Sequence, residues 1–490
     1  LIEPDVKDSS LTGGVRGDLN GWFWDASAQY GHNSFDFTIT NSLNASLGPT
    51  LPPNQTTFDS GGFEFNHLLA NLDISRGYDL GLASPINVAF GAEYRDENYQ
   101  IHAGEPNSYI DGGRPNQAGE RAAAGAQVFP GFKPSDEIDA SRSNYALYID
   151  LEGDVLEKLR LGLAGRFEDY DDFGSTSDYK FTARFAPVKS FVVRSSISTG
   201  FRAPSLGQSF FSAVSTNFLT IAGVVVPVEV GTFKVNSPVA RALGAVDLQP
   251  EDSRHLSAGV VWQPLSNLEL TADFFHIEID NRVVFSENFT GPRVNAILAP
   301  FNVSGARFFT NAIDTETDGY DLVANYQQGL GGWGRVDLSA AYSNNKTDVI
   351  SVIDTPPQLR GLEETLFGRI ERRRVECSQP EDNVRLAQQW IRGGTSATFR
   401  QSRYGEYCST DNANPIDDQT YGEQWVMDLD LAYQWNRLTF GVGAQNLFDS
   451  FPDRNRPGTA QAFNNIFTYP RNSPTGMNGR FIYSRVGVKF

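Results

Sequence analysis

Four arginines crowd one short stretch, LEETLFGRIERRR (362–374), of a chain that is otherwise strongly acidic. Arg369, Arg372, Arg373 and Arg374 share it with Leu362, Leu366 and Ile370, whose spacing predicts a short amphipathic helix. Guanidinium pairs well with carboxylate and phosphate, so the cluster could draw in an anionic ligand. Neighbouring Glu363, Glu364, Glu371 and Glu376 could equally satisfy it. A second candidate is GQSFFSAVSTNF, where Phe210, Phe211 and Phe218 could stack on a flat ligand or pack a small core of their own. In DYDDFG, Asp169, Asp171 and Asp172 are a weak candidate for Ca²⁺, and a solvated acidic turn is the simpler account. DTETDG (314–319) mimics half an EF-hand, but Asn325 stands where the bidentate Glu belongs. The five histidines (His32, His67, His102, His255, His276) show no metal-ligand spacing. With no P-loop, G-x-S-x-G or H-E-x-x-H, the chain offers no catalytic residues, no metal site and no cofactor site, and reads as a non-enzyme.

Alternation supplies the elements that must carry these groups. Tyr145, Leu147, Ile149 and Leu151 oppose Asn144, Asp150 and Glu152. Trp425, Met427, Leu429, Leu431, Tyr433 and Trp435 oppose Gln424, Asp428, Asp430 and Gln434. Period two means strands with one greasy and one wet face. Such strands are expected at 11–18, 21–40, 63–78, 84–103, 139–155, 158–173, 177–187, 189–201, 249–263, 266–288, 305–328, 332–350, 380–391, 394–408, 420–435, 437–449 and 478–490. Many exceed the ~5–6 residues usual in globular sheets. Tight turns such as LNG alternate with long polar excursions, the exception being a short connection near 174–176. Sorted loops and long strands describe an antiparallel transmembrane β-barrel with short periplasmic turns and long extracellular loops. Aromatics such as Trp262 and Tyr433 would form its girdles. An excess of Asp and Glu (59) over Lys and Arg (40) argues against nucleic acid.

The only two cysteines, Cys377 and Cys408, fall at the long-loop ends of strands flanking IRGG. Paired positions in a hairpin keep a constant midpoint, and theirs lies between Arg392 and Gly393, in that turn. The two are therefore expected to face each other and form a disulfide outside the membrane, where one persists.

In order along the chain run SSISTGFRAPSLGQ (195–208), LQPEDSRHLSAGVVWQP (248–264), LELTADFFHIEIDNRV (268–283), TETDGYDLVANY (315–326), VGAQNLFDSFP (442–452) and the terminal GVKF. Together they resemble the C-terminal portion of a TonB-dependent outer-membrane receptor, from about residue 140 to the end and more loosely before. Arg202 and Pro204 of GFRAPS sit where a strand leaves the membrane; Arg202 could touch substrate or plug, and a structural anchor, with Pro204 ending the ladder for want of an N–H, is the simpler account. Phe490 closes a strand resembling the signal read by the barrel-assembly machinery. The resemblance implies a barrel of about 22 strands, of which about seventeen are expected in residues 1–490. An N-terminal plug and the first strands would lie outside this chain or on another. It also implies active uptake of a scarce, bulky nutrient (a ferric siderophore, cobalamin or an oligosaccharide) through the outer membrane of a Gram-negative bacterium. TonB would engage the missing N-terminal region. Outer-membrane lipid and lipopolysaccharide would surround the barrel, and a surface lipoprotein is a further partner to consider. The alternative is a passive porin of 16–18 strands complete in this chain, whose first and last strands would pair directly.

Overall fold

A computed structural model describes residues 1–489 other than 51–54, 116–118, 120, 121, 128, 222, 223, 302, 363–365, 411–414, 460, 463 and 464, with backbone alone at 49, 50, 215–221 and 224–229. Phe490, expected to close the last strand, lies outside the described residues, and Phe218 is described by its backbone only.

The strands are β1 (Ile2–Leu19), β2 (Trp22–Ile39), β3 (Phe58–Tyr78), β4 (Ile86–His102), β5 (Ile138–Leu156), β6 (Leu159–Tyr170), β7 (Gly174–Val188), β8 (Phe191–Arg202), β9 (Ala213–Ile221), β10 (Val224–Thr232), β11 (Glu251–Leu265), β12 (Leu268–Phe285), β13 (Ala306–Arg307), β14 (Phe309–Gly329), β15 (Arg335–Val352), β16 (Asp382–Arg392), β17 (Thr395–Tyr404), β18 (Tyr407–Ser409), β19 (Gln419–Tyr421), β20 (Gln424–Trp435), β21 (Leu438–Gln445) and β22 (Phe481–Val488). Seventeen form one antiparallel sheet in which each strand pairs with the next sheet strand along the chain, from β1 at one edge to β22 at the other. Among the described residues no ladder joins those edges. The remaining five form two small loop sheets, β9–β10–β13 and β18–β19.

Local chemistry explains the turns. Between β1 and β2 the chain reverses on Asn20 (φ 51°) and Gly21 (φ 80°), the left-handed pair that a two-residue hairpin requires. β1 begins at Ile2, well before the expected residue 11, and pairs with β2 along its whole length (Ile2↔Ile39 to Leu19↔Trp22). Its first half, IEPDVKDSS, carries no steady apolar alternation, so hydrophobicity could not reveal it.

The ladders place the apolar sets on one continuous face. Leu151 pairs with Leu163, which pairs with Phe181, which pairs with Ile197. On the far side Leu429 pairs with Ala444, and Ala444 with Ile482. Leu147, Leu163, Ile197, Leu431, Val442 and Ile482 stand exposed, as do the expected girdle residues Tyr145, Trp262, Trp425, Tyr433 and Trp435. A sheet with one face so apolar is solvated by lipid. The opposite face carries ion pairs in place of a core. Arg194 bonds Asp273 at 2.6 Å, Arg166 reaches Glu168 at 2.5 Å, and Asp430 takes both Arg485 (2.7 Å) and the Tyr483 hydroxyl (2.8 Å). On the lipid face the Gln401 side-chain amide donates to the Gln388 amide oxygen at 3.1 Å. Unpaired, each would be costly there.

Candidate functional site

The apolar cores lie among the long loops. One packs Val239 and Leu243 from the β10–β11 connection against Phe289, Val294 and Leu298 from the β12–β13 connection, Phe308, and Leu359 and Leu366 from the β15–β16 connection. Three loops thus share one interior. The parallel pairing of β10 with β13 stitches two of them by backbone hydrogen bonds (Gly231↔Ala306).

The arginine segment forms a helix over Arg369–Glu376 with its basic side chains paired. Arg369 pairs with Asp418, which also lies 3.4 Å from Arg373, while Arg373 donates to the Thr410 hydroxyl at 2.9 Å. Arg372 pairs with Glu376 at 3.2 Å and Arg374 with Glu371 at 2.6 Å. Glu363 and Glu364, the other expected partners, fall outside the described residues. Glu287, from the β12–β13 connection, accepts the backbone N–H groups of Ile370 (3.0 Å) and Glu371 (3.3 Å) at the start of the helix. Burial pushes the Glu287 and Glu371 carboxyls up from the ordinary range, partly offset by those N–H groups for Glu287 and by Arg374 for Glu371. Burial pulls Arg307 down.

Cys377 and Cys408 are disulfide-bonded, with Cα atoms 5.4 Å apart. Their proximity is as expected, but the hairpin and the positions of the cysteines on it differ. β16 and β17 turn between Gly393 and Gly394, since Arg392 pairs with Thr395, and neither cysteine is on that ladder. Cys377 caps the arginine helix and Cys408 sits on β18, held by its N–H on the Cys377 carbonyl at 2.7 Å. Asn472 clamps the junction from outside, donating to the carbonyls of Cys408 (2.9 Å) and Ser378 (3.0 Å).

Phe210 and Phe211 are half-buried against Tyr99, Phe132 and Leu206, in a cluster that also gathers Phe37, Phe63, Phe65 and Phe129. The cluster joins the ends of β2, β3 and β4 to the β4–β5 and β8–β11 connections. Arg202 donates to Glu251 at 2.8 Å in a two-pronged pair, and Glu251 also accepts the Val283 N–H at 2.7 Å, fastening β8, β11 and β12 where the chain departs. The Pro204 carbonyl accepts from buried Arg142 at 2.7 Å. Arg142 also holds Asp172 (2.6 Å), and Asp171 accepts from Ser143 (3.0 Å), so these two aspartates pair with different neighbours. Asp169 stands on β6 opposite Tyr145.

Two features escaped sequence reasoning. A cavity of about 490 Å³ opens on the polar face, lined by Asn345, Gln379, Asn383, Arg385, Tyr404 and Pro474. The Arg385 side chain makes no hydrogen bond or ion pair among the described residues, although its backbone pairs with Ala341 and Ser402 in the ladders. Its alternation with Val384 and Leu386 was the available signal. The other is His276, whose ring lies 2.8 Å from Asp318 and 3.7 Å from Glu316 once β12 and β14 pair. Histidine spacing along the chain cannot show this.

A single antiparallel sheet, apolar outside and ionic inside, with one end covered by interlocked loops, defines a membrane β-barrel of the receptor type. Residues 3–447 match the family described as TonB dependent receptor-like, beta-barrel, and the chain belongs to that family. No curated protein matches it. Among solved structures it is similar to a mutant ferric enterobactin receptor (PfeA) from Pseudomonas aeruginosa, at 14% identity and TM-score 0.66, covering 99% of this chain and 62% of that one. The siderophore receptor PirA from Acinetobacter baumannii is similar at 14% identity and TM-score 0.63 (99% and 63%). FpvA of P. aeruginosa bound to a heterologous pyoverdine is similar at 13% identity and TM-score 0.60 (98% and 56%). The chain thus spans less than two thirds of each. At such identities the likeness is one of fold.

Proposed function

We propose that this chain is the barrel portion of a TonB-dependent receptor that takes an iron–siderophore complex across the outer membrane of a Gram-negative bacterium. The family match over 3–447 carries the reading, and the fold shared with siderophore receptors supports the substrate class. Further strands pair with the free edges of β1 and β22, because bare backbone groups do not survive in lipid. A plug fills the polar interior and relays the pull of TonB. A porin closed by β1 and β22 is disfavoured by the open edges. The arginine helix fits a brace between loops, its charges being paired with Asp418, Glu371 and Glu376. Ligand contact falls instead to Arg385 with Asn383 and Tyr404, and to the half-buried Phe210 and Phe211. The test is uptake of ⁵⁵Fe–siderophore by cells carrying the full natural gene, with and without TonB. Uptake should require both, and Arg385→Ala should lower it. Uptake indifferent to TonB would overturn the proposal.

A further inference from the structure

Outside the barrel, on the wall formed by β11 to β16, two features lie one above the other along β12. The lower is an apolar groove of about 470 Å³. Ala272, Ala324 and Ala340, one on each of three adjacent strands, form its floor, and Trp262, Leu322 and Tyr342 rise around it. Small side chains in line leave a trough as wide as a hydrocarbon chain. Going up β12 from Ala272, the outward positions are Phe274 and then His276, with Tyr320 and Asp318 as their partners on β14. Four residues of strand rise about 13 Å. Phe274 and Tyr320 are exposed aromatics, so the lipid interface lies at their height.

His276 stands just above. Its Nδ1 is 2.8 Å from Asp318 and 3.7 Å from Glu316, and its Nε2 is 3.5 Å from Glu278. One ligand atom from each of His276, Glu316 and Asp318 falls within 4.8 Å of the others, close enough to share one ion. Among the described residues this is the only such group. The side chains are partly exposed (27%, 37% and 54%), leaving room for a further ligand from outside. Imidazole with two carboxylates suits Zn²⁺ or Mn²⁺, whereas Ca²⁺ prefers oxygen alone. A phosphate arriving here without a cation would meet three carboxylates. With a cation it meets an open coordination position, with Arg254 on Glu278 (3.4 Å) and Lys346 on Asp348 (2.7 Å) beside it.

We propose that His276, Glu316 and Asp318 bind a divalent cation on the lipid-facing side of the barrel, and that the cation holds a phosphate of an outer-leaflet glycolipid, lipopolysaccharide, whose acyl chain lies in the groove below. The site lies on the face opposite the polar interior, so it anchors the receptor in its leaflet and stays off the transport path. The lipid part rests on the outer-membrane reading above; the cation part does not need it.

The experiment uses the full receptor purified in detergent and stripped with chelator. Calorimetric titration with Zn²⁺ should show about one site per chain on the wild type, lost in His276→Ala and in Glu316→Gln/Asp318→Asn. Lipid A added next should be retained through gel filtration only with Zn²⁺ present. Ala324→Phe, which fills the groove, should lower lipid A retention and leave Zn²⁺ binding unchanged. Equal Zn²⁺ binding by wild type and His276→Ala, or none by either, overturns the cation site even if ⁵⁵Fe uptake still requires TonB. Retention of lipid A in chelator overturns the bridge. Inorganic phosphate that displaces lipid A completely overturns the lipid as occupant. Unfolding of His276→Ala, read by heat-modifiable migration, leaves Ala324→Phe to decide, and unchanged lipid A retention in it counts against the groove.

Discussion

Breaking the Cys377–Cys408 bond should loosen the arginine helix by an amount the surrounding ladders determine. The sequence separation is 31, and if the whole intervening segment were free the lost loop-closure entropy would be worth ~3.7 kcal/mol. The segment is not free. Asp382 begins β16 and Tyr404 ends β17, and both belong to the sheet. While the barrel stays folded, about nine residues separate the cysteines from these fixed points, and the same relation gives ~2.6 kcal/mol. Hydrogen exchange of peptides covering 366–381 should therefore quicken by roughly 70-fold in Cys377→Ser/Cys408→Ser relative to the oxidised wild type. Exchange in Asp382–Arg392 should stay unchanged. Unaltered exchange in 366–381 would show that Asn472 and the β18–β19 pairing already hold the junction. Acceleration that spreads into β16 and approaches ~400-fold would show that the hairpin opens with the loop, and would refute the premise of a fixed wall.

Other outcomes follow from the same geometry. Glu251→Ala, which orphans the Val283 N–H and half of a fork with Arg202, should cost ~1–3 kcal/mol in urea unfolding, at the lower end because Arg202 is partly in water. Leu429→Arg and Val442→Arg, on the lipid face, should each cost roughly 2–4 kcal/mol in the same assay, while Asp79→Asn should be silent, since Asp79 is exposed in the β3–β4 turn and an amide oxygen can still accept the Gly81 N–H. Glu287 and Glu371 hold their protons more firmly in the packed cap than when the loops open. The packed state therefore binds more protons in the window above the ordinary carboxyl pKa of about 4.3, and acidification into that window stabilises it. Exchange at Ile370 and Glu371, corrected for intrinsic rate, should slow as the pH falls, and Glu287→Gln should flatten that response.

The barrel was legible because lipid imposes period two on whatever crosses it. Leu147, Ile149 and Leu151 announce β5, and Asn20–Gly21 announces a turn. Above the membrane that pressure ends, so the outer half of β1 carried no strand signal although every residue pairs. The disulfide was found by symmetry, yet its hairpin turns one residue later and the cysteines stand on a helix cap and β18, so proximity was legible and its cause was not. Contacts between distant segments left no trace in the chain. Asp418 is far from Arg369 in sequence, His276 meets Asp318 only through ladder register, and Phe210 packs against a cluster drawn largely from other segments. The luminal Asp430 read as a residue facing water and is in fact buried under Arg485 and Tyr483.

Because Val239, Phe289, Val294, Leu359 and Leu366 belong to one core, the loops carrying them form a linkage group. A change in any one must be acceptable to the interior surfaces of the other two, however free its outward residues are to vary. Substitutions can therefore accumulate quickly on the skin of this cap while its interior drifts slowly and in concert. Recombination that exchanges a single loop between relatives should yield misfitting cores, whereas a crossover moving the block from β10 to β16 should carry a matched interior with it.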